Sequence, residues 1–240
     1  VRAGARDART AQMSARLRPV VAIDGPVGAG KSTIARALAQ ALGFSHLNTG
    51  AMYRAVALAA SLRYSRQELT DPAIEQRLGE LLNSISITFD GERVALDGRE
   101  ISHAIADPAI SDLASRFSAF GAVRARMREL QRAAGRDGGV VMEGRDIGTV
   151  IFPDAEFKFY LTADPAVRAE RRYAELVAQG VTVTRAQVLE QLRERDRRDV
   201  ERELAPLKPA VDAIVIDSSE LAIAEVVKLM QTRVRGAASA

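Results

Sequence analysis

Eight consecutive residues, Gly25-Pro26-Val27-Gly28-Ala29-Gly30-Lys31-Ser32, follow the pattern G-x-x-x-x-G-K-[ST], the spacing a chain needs to wrap a phosphate. The glycines let backbone amides converge on an anion, and a helix that begins here adds about half a positive charge from its unpaired N–H groups. Lys31 is placed to reach the β- and γ-phosphates of a nucleoside triphosphate. Ser32 is placed to hold Mg²⁺ through its hydroxyl, and Thr33 brings a second hydroxyl to the same phosphates. The competing reading is a glycine-rich turn without a ligand; the full match, lying between an apolar run and an amphipathic one, weighs against it.

A triphosphate loop leaves the reaction open. A guanine reader of the form Asn-Lys-x-Asp is missing, since none of the four lysines (Lys31, Lys158, Lys208, Lys228) follows an Asn. A motor ATPase would end an apolar strand in Asp-Glu, whereas here Gly139 to Glu143 (GVVME) runs straight into Gly144-Arg145-Asp146. That places ligand-gripping groups at the C-terminal end of a strand, where open α/β sheets bind ligands. The chain has no Cys and two His, so thiolate chemistry, disulfides and Cys-based zinc sites are out and His-rich metal chemistry has little scope. Catalysis must rest on Lys, Arg, carboxylates, hydroxyls and backbone amides.

Of 34 cationic residues, 30 are Arg. Arginine's planar fork grips phosphate with two hydrogen bonds, and a GC-rich coding bias is the duller explanation of the excess. Residues 1–18 hold Arg2, Arg6, Arg9, Arg16 and Arg18 against Asp7 alone, which leaves 29 cations and 30 anions in the remainder. By net charge the folded part is therefore not a nucleic-acid-binding surface.

These groups need a scaffold to hold them. The chain has 240 residues, 47% of them apolar and 27% charged, enough for one large domain or two small ones. Its longest apolar run is the six residues Ala55 to Ala60, far short of a membrane-spanning helix. Residues 1–18 show no apolar period and read as a mobile tail with Met13 as the physiological start. Val20 to Ile23 then reads as a strand buried on both faces, followed by a helix with Ile34, Leu38 and Leu42 on one side and Gly43 as its stop. Ser45–Leu47, Gly139–Glu143, Phe157–Leu161 and Ala213–Asp217 complete five strands. Helical stretches fall at about 51–63, 71–84, 108–135, 165–179, 185–198 and 220–233. The alternation predicts a three-layer α/β domain with a parallel sheet. Ile85 to Ile101 breaks the rhythm: it alternates with period two and carries Asp-Gly turns at 90–91 and 97–98, so it predicts a small antiparallel insert leaning on the main domain near the ligand.

Asn48-Thr49-Gly50-Ala51-Met52-Tyr53-Arg54, Glu143 to Asp154 (EGRDIGTVIFPD) and Arg195 to Arg202 (RDRRDVER), together with the Ile23-Asp24-Gly25-Pro26 start of the phosphate loop, resemble the bacterial cytidylate kinases in order and spacing, over about residues 20–230. The resemblance implies a single P-loop kinase domain over 19–235, with a five-stranded parallel sheet, the β insert in a monophosphate-binding region at about 64–107, and a helical lid at about 164–203. It implies phosphoryl transfer from ATP, with Mg²⁺, to CMP or dCMP. Thr49, Tyr53, Arg54, Arg145 and Arg202 would surround the acceptor phosphate, Arg195 and Asp199 would lie at the ribose, and Ser115, Arg124 and Asp146 would read the base. Lys31, Arg145, Arg195 and Arg198 are expected to carry the transfer, in a cytoplasmic monomer with no nucleic acid or membrane partner.

Cytosine presents an amino donor at N4 and acceptors at N3 and O2, so a carboxylate or hydroxyl plus an Arg is its complement, while uracil would mispair. Duller readings stand beside these. Arg145 and Asp146 could form a structural ion pair, Tyr53 could serve core packing, and Ser115 and Arg124, nine apart on one predicted helix, share no face unless it bends. His46 and His103 lack a partner pattern and read as ordinary surface or strand residues. Two positions depart from the family: Asn48 replaces its usual Asp, and Gly121 its usual Pro. Asp164 to Arg202 holds nine Arg and eight acids, which reads either as a solvated helix face or as a lid whose arginines close on phosphates. The rival functions are a P-loop kinase for UMP, AMP or shikimate, and an ATP-regulated nucleic-acid-binding module.

Overall fold

A computed structural model describes residues 16–90 and 93–238. In chain order the elements are β1 (Val20–Asp24), α1 (Lys31–Leu42), β2 (Ser45–Asn48), α2 (Thr49–Arg63), α3 (Ile74–Ser84), β3 (Ile87–Asp90), β4 (Arg93–Leu96), β5 (Arg99–Glu100), α4 (Pro108–Phe117), α5 (Gly121–Ala134), β6 (Val140–Gly144), β7 (Phe157–Thr162), α6 (Pro165–Ala178), α7 (Arg185–Glu201), β8 (Ile214–Asp217) and α8 (Ile223–Ala238). The five expected strands form one parallel sheet in the order β2-β6-β1-β7-β8. β1 sits at its centre and all five of its residues are buried, which is why its sequence is continuously apolar rather than alternating.

Both faces of the sheet are covered. On one, Val21, Ile23, Phe159 and Leu161 pack with Ile34 and Leu38 of α1 and with Val226 and Met230 of α8. On the other, Val20, Ala22, Val140 and Met142 pack with α2, α3, α4 and α5 through Met52, Leu78, Phe117 and Met127. The result is three layers, as the alternation predicts. Among the described residues no helix is long and apolar enough to cross a membrane.

The predicted insert is the antiparallel sheet β3-β4-β5. Its second turn places Asp97 and Gly98 in the left-handed region, at φ +49° and +77°, the conformation an Asp-Gly hairpin favours; residues 91–92 of the first turn lie outside the described residues. Val94 and Leu96 anchor the insert in the core shared with α2.

The single helix predicted over 108–135 is instead two, α4 and α5. Ser118 ends the first, and its hydroxyl donates back to the Ser115 carbonyl at 2.7 Å. Phe120 is extended and caps the second. The first amide of α5, that of Gly121, donates to Glu75 Oε1 at 2.8 Å, a carboxylate at a helix N-terminus where it is favoured. A proline here would have no N–H to give. Gly121 thus ties α5 to α3.

The segment expected to form a lid folds as the α6–α7 hairpin with a small core of Ala169, Leu176, Val188 and Leu192. Arg185 pairs with Glu170 at 2.7 Å and lies 4.3 Å from the centre of the Tyr173 ring. Of the tail read over 1–18, residues 1–15, Met13 among them, lie outside the described residues. Arg16 is held by Asp154 at 2.6 Å and Glu156 at 3.3 Å, and Arg18 donates to the Gly43 carbonyl at 3.3 Å. These two arginines therefore belong to the packed part.

Candidate active site

A cleft of about 870 Å³ opens at the C-terminal edge of the sheet, where the ends of β1, β2 and β6 bring the motifs together. Eight cationic side chains line it (Lys31, Arg54, Arg124, Arg145, Arg171, Arg172, Arg195, Arg202) against four carboxylates, Glu143, Asp146, Glu175 and Asp199. Such an excess attracts polyanions.

The loop between β1 and α1 is shaped by close approach. Gly25 sits at φ +151°, and a Cβ there would fall on the Leu161 carbonyl; Gly28, at φ +75°, would press one within 2.8 Å of the Arg168 carbonyl oxygen. Gly30 precedes α1 and offers no side-chain cap, so the first-turn N–H groups stay available to an anion. Lys31 Nζ donates to the Pro26 carbonyl at 2.6 Å. Burial first, then neighbouring Arg145, holds its amine well below the ordinary lysine value.

Ser32 donates its hydroxyl proton to Glu143 Oε2 at 2.8 Å, which leaves the oxygen's lone pairs for a cation. No group of three or more His, Cys, Asp or Glu among the described residues could hold a metal unaided. The Ser32 hydroxyl beside the phosphate loop suits Mg²⁺, an ion that takes few ligands from protein and the rest from phosphate and water.

On the acceptor side, Thr49 Oγ1 donates to the Glu143 carbonyl at 2.7 Å. Tyr53 both lines the cleft and packs against the core, so its two readings are compatible. Arg54 reaches the cleft with Nε buried and unpartnered. The bend between α4 and α5 brings Ser115 and Arg124 to one cavity, which a straight helix could not do. Arg124 donates through Nη2 to Asp146 and through Nη1 to the Ser118 carbonyl at 3.1 Å. Arg202 Nη2 lies 3.6 Å from the other Asp146 oxygen, and its Nε donates to the Ala205 carbonyl at 2.7 Å. Beside them the Ser115 hydroxyl is buried without a partner.

The ion pair considered between Arg145 and Asp146 is not the one formed: Arg145 Nε donates to Asp199 Oδ2 at 2.8 Å. Burial pushes the Asp199 carboxyl up, but Arg145 and Arg195 hold it below the ordinary value. Arg195 lines the cleft; burial, then Arg145, lowers its guanidinium to about 10. Arg198 does not line the cleft. It turns to Asp112 at 2.9 Å and Glu194 at 3.9 Å, joining the lid to α4.

Four contributors were not singled out from the sequence. Glu143 closes its strand and holds Ser32. Arg171 and Arg172 line the cleft from α6, and their only sequence signal is adjacency in the arginine-dense segment. Asp24 accepts the Ile147 and Gly148 amides, both at 2.8 Å, and so fixes the one-turn π-helix Ile147–Ile151 that follows Arg145 and Asp146.

Comparison with known proteins agrees with this geometry. The cytidylate kinase family model matches residues 21–235. A cytidylate kinase of Pelotomaculum thermopropionicum is 49% identical over 219 residues, covering 90% of this chain and 96% of its own. One of Chlorobaculum tepidum is 48% identical over 216 residues, covering 88% and 90%. A bifunctional pantoate ligase/cytidylate kinase of a Synechococcus strain is 46% identical over 213 residues, which is 87% of this chain but 39% of that longer protein. With the family's match running over residues 21–235 and relatives 46–49% identical over nearly the whole chain, the chain belongs to the cytidylate kinase family.

Proposed function

We propose that this enzyme transfers the γ-phosphoryl group of ATP to CMP or dCMP, giving ADP and CDP or dCDP. The observation that carries the reading is Asp146, held between Arg124 and Arg202 beside the unpartnered hydroxyl of Ser115. A carboxylate and a hydroxyl accept from the cytosine amino group while a guanidinium donates to its ring acceptors; uracil would face the carboxylate with O4, two acceptors in contact.

In this reading the amides and Lys31 of the phosphate loop hold the triphosphate, and Gly25 to Thr33 form its cradle. Ser32 would hold Mg²⁺, which would supply charge neutralisation to the triphosphate. Thr49, Tyr53, Arg54, Arg145 and Arg202 surround the acceptor phosphate, with Arg195 and Asp199 at the ribose. The transferred group needs in-line placement and cations on its equatorial oxygens rather than a base. Lys31, Arg145 and Arg195 converge on the same cleft for that purpose. Closing α6–α7 over the cleft excludes water, so ATP is not spent on hydrolysis. The enzyme acts on free nucleotides as a cytoplasmic monomer, where ATP is abundant, and its near-neutral folded part supports no nucleic-acid partner.

Calorimetric titration of the protein with CMP and with UMP tests the base reading. CMP should bind about tenfold or more tighter than UMP, in line with the penalty for leaving buried polar groups mispaired. Equal affinities would defeat it.

A further inference from the structure

His46 lies outside every motif that builds the cleft, yet it touches the phosphate side of the site. β2 and β6 run parallel with Asn48 opposite Glu143, and His46, two residues earlier, leaves the strand on the same face as Asn48. Its ring Nε2–H donates to Glu143 Oε1 at 3.1 Å, while Oε2 of the same carboxylate accepts the Ser32 hydroxyl proton at 2.8 Å. Both partners are nearly sealed, with side-chain exposures of 9% for His46 and 4% for Glu143.

A carboxylate turns easily about its last torsion, so a single hydrogen bond does not fix its plane. Two bonds, one to each oxygen, do. Asn48, opposite Glu143 on the sheet, turns its Oδ1 to α2 and accepts the Ala51 amide at 3.2 Å. The bond from His46 completes the pair.

We infer that His46 is a positioning residue for the transfer: it locks Glu143 so that the carboxylate retains the Ser32 proton and leaves the hydroxyl lone pairs turned toward the cation that accompanies the triphosphate. This rests on the Mg²⁺–ATP reading given above. His46 also lines a separate cavity of about 390 Å³ together with Leu47, Phe89 and Val94.

The test compares His46→Leu, which removes the donor, with His46→Gln, whose amide nitrogen reaches about as far as Nε2. Mn²⁺ binding in the presence of a β,γ-imido analogue of ATP is read from the free-Mn²⁺ electron paramagnetic resonance signal. The Mg²⁺ requirement of CMP phosphorylation is measured in parallel. His46→Leu should weaken Mn²⁺ binding about tenfold and raise the Mg²⁺ requirement by a similar factor, with the KM for CMP nearly unchanged; His46→Gln should recover most of the loss. Unchanged Mn²⁺ binding in His46→Leu, or equal losses in both variants, would overturn the inference. Should His46→Leu fail to fold, His46→Asn, polar but too short to reach Glu143, takes its place against His46→Gln with the same two outcomes. The Mn²⁺ arm contains no acceptor, so wild-type protein that binds Mn²⁺ and the analogue but leaves CMP untouched would count against the substrate reading alone.

Discussion

Asp146 is pinned by two guanidiniums, Arg124 and Arg202, and its replacement by Asn would leave both buried charges facing a neutral amide. Charged hydrogen bonds of this kind are worth about 1.5–3 kcal/mol each, so Asp146→Asn should raise the KM for CMP roughly 10- to 100-fold and leave that for ATP nearly unchanged. Steady-state kinetics with each nucleotide varied would show it; equal losses for both would mean the cleft had collapsed instead. Asp24 gives a pH signature. Burial outweighs its two backbone hydrogen bonds and raises the carboxyl from 3.8 to about 6. The folded protein therefore takes up this proton more readily than the unfolded chain, and the stabilisation that follows is full below about pH 3.8 and fades as pH rises through 6. A shift of about two units corresponds to roughly 3 kcal/mol. Denaturant unfolding of wild type and Asp24→Asn between pH 4 and 7 should show wild type losing stability relative to the variant by that order, whereas a difference flat with pH would contradict it. At this scale the phosphate loop was legible because its chemistry is local. The partner of Arg145 was not: Asp199 lies 54 residues away and only the docking of α7 brings it near.

Among elements, the break between α4 and α5 is what brings Ser115 and Arg124 to one cleft. A continuous apolar period over 108–135 hides it, and the signals that fix it, Glu75 capping Gly121 and Ser118 folding back on Ser115, are tertiary or a single hydrogen bond. The lid was legible as an arginine-dense stretch, but periodicity could not say which arginines face inward. The structure separates two that the sequence groups together. Arg195 lines the cleft, while Arg198 lies outside that lining and pairs with the exposed Asp112. Loss of a preorganised cation typically costs about 10²–10³ in turnover, and an exposed ion pair about 1 kcal/mol at most. Arg195→Ala should therefore lower kcat by at least about a hundredfold with little change in the KM for ATP, and Arg198→Ala by no more than about fivefold. Comparable large losses in both would return Arg198 to the reacting groups.

At the scale of the molecule, five of five predicted parallel strands and the antiparallel insert were written in the apolar pattern, because burial on both faces and a two-residue alternation leave direct marks on sequence. Strand order, the Gly121–Glu75 contact and the Glu143–His46 contact were not, because each depends on which distant segments pack side by side. The fold puts the glycine-rich loop at the end of β1 and Asp146 just past the end of β6 on one cleft, lined by arginines that α2, α5, α6 and α7 bring to it. The central claim is that this cleft phosphorylates cytidine monophosphates. It is tested by a coupled assay of ADP release with ATP, Mg²⁺ and, in turn, CMP, dCMP, UMP and AMP: turnover with CMP and dCMP should lie well above that with UMP or AMP, and no release with either cytidine nucleotide would refute it.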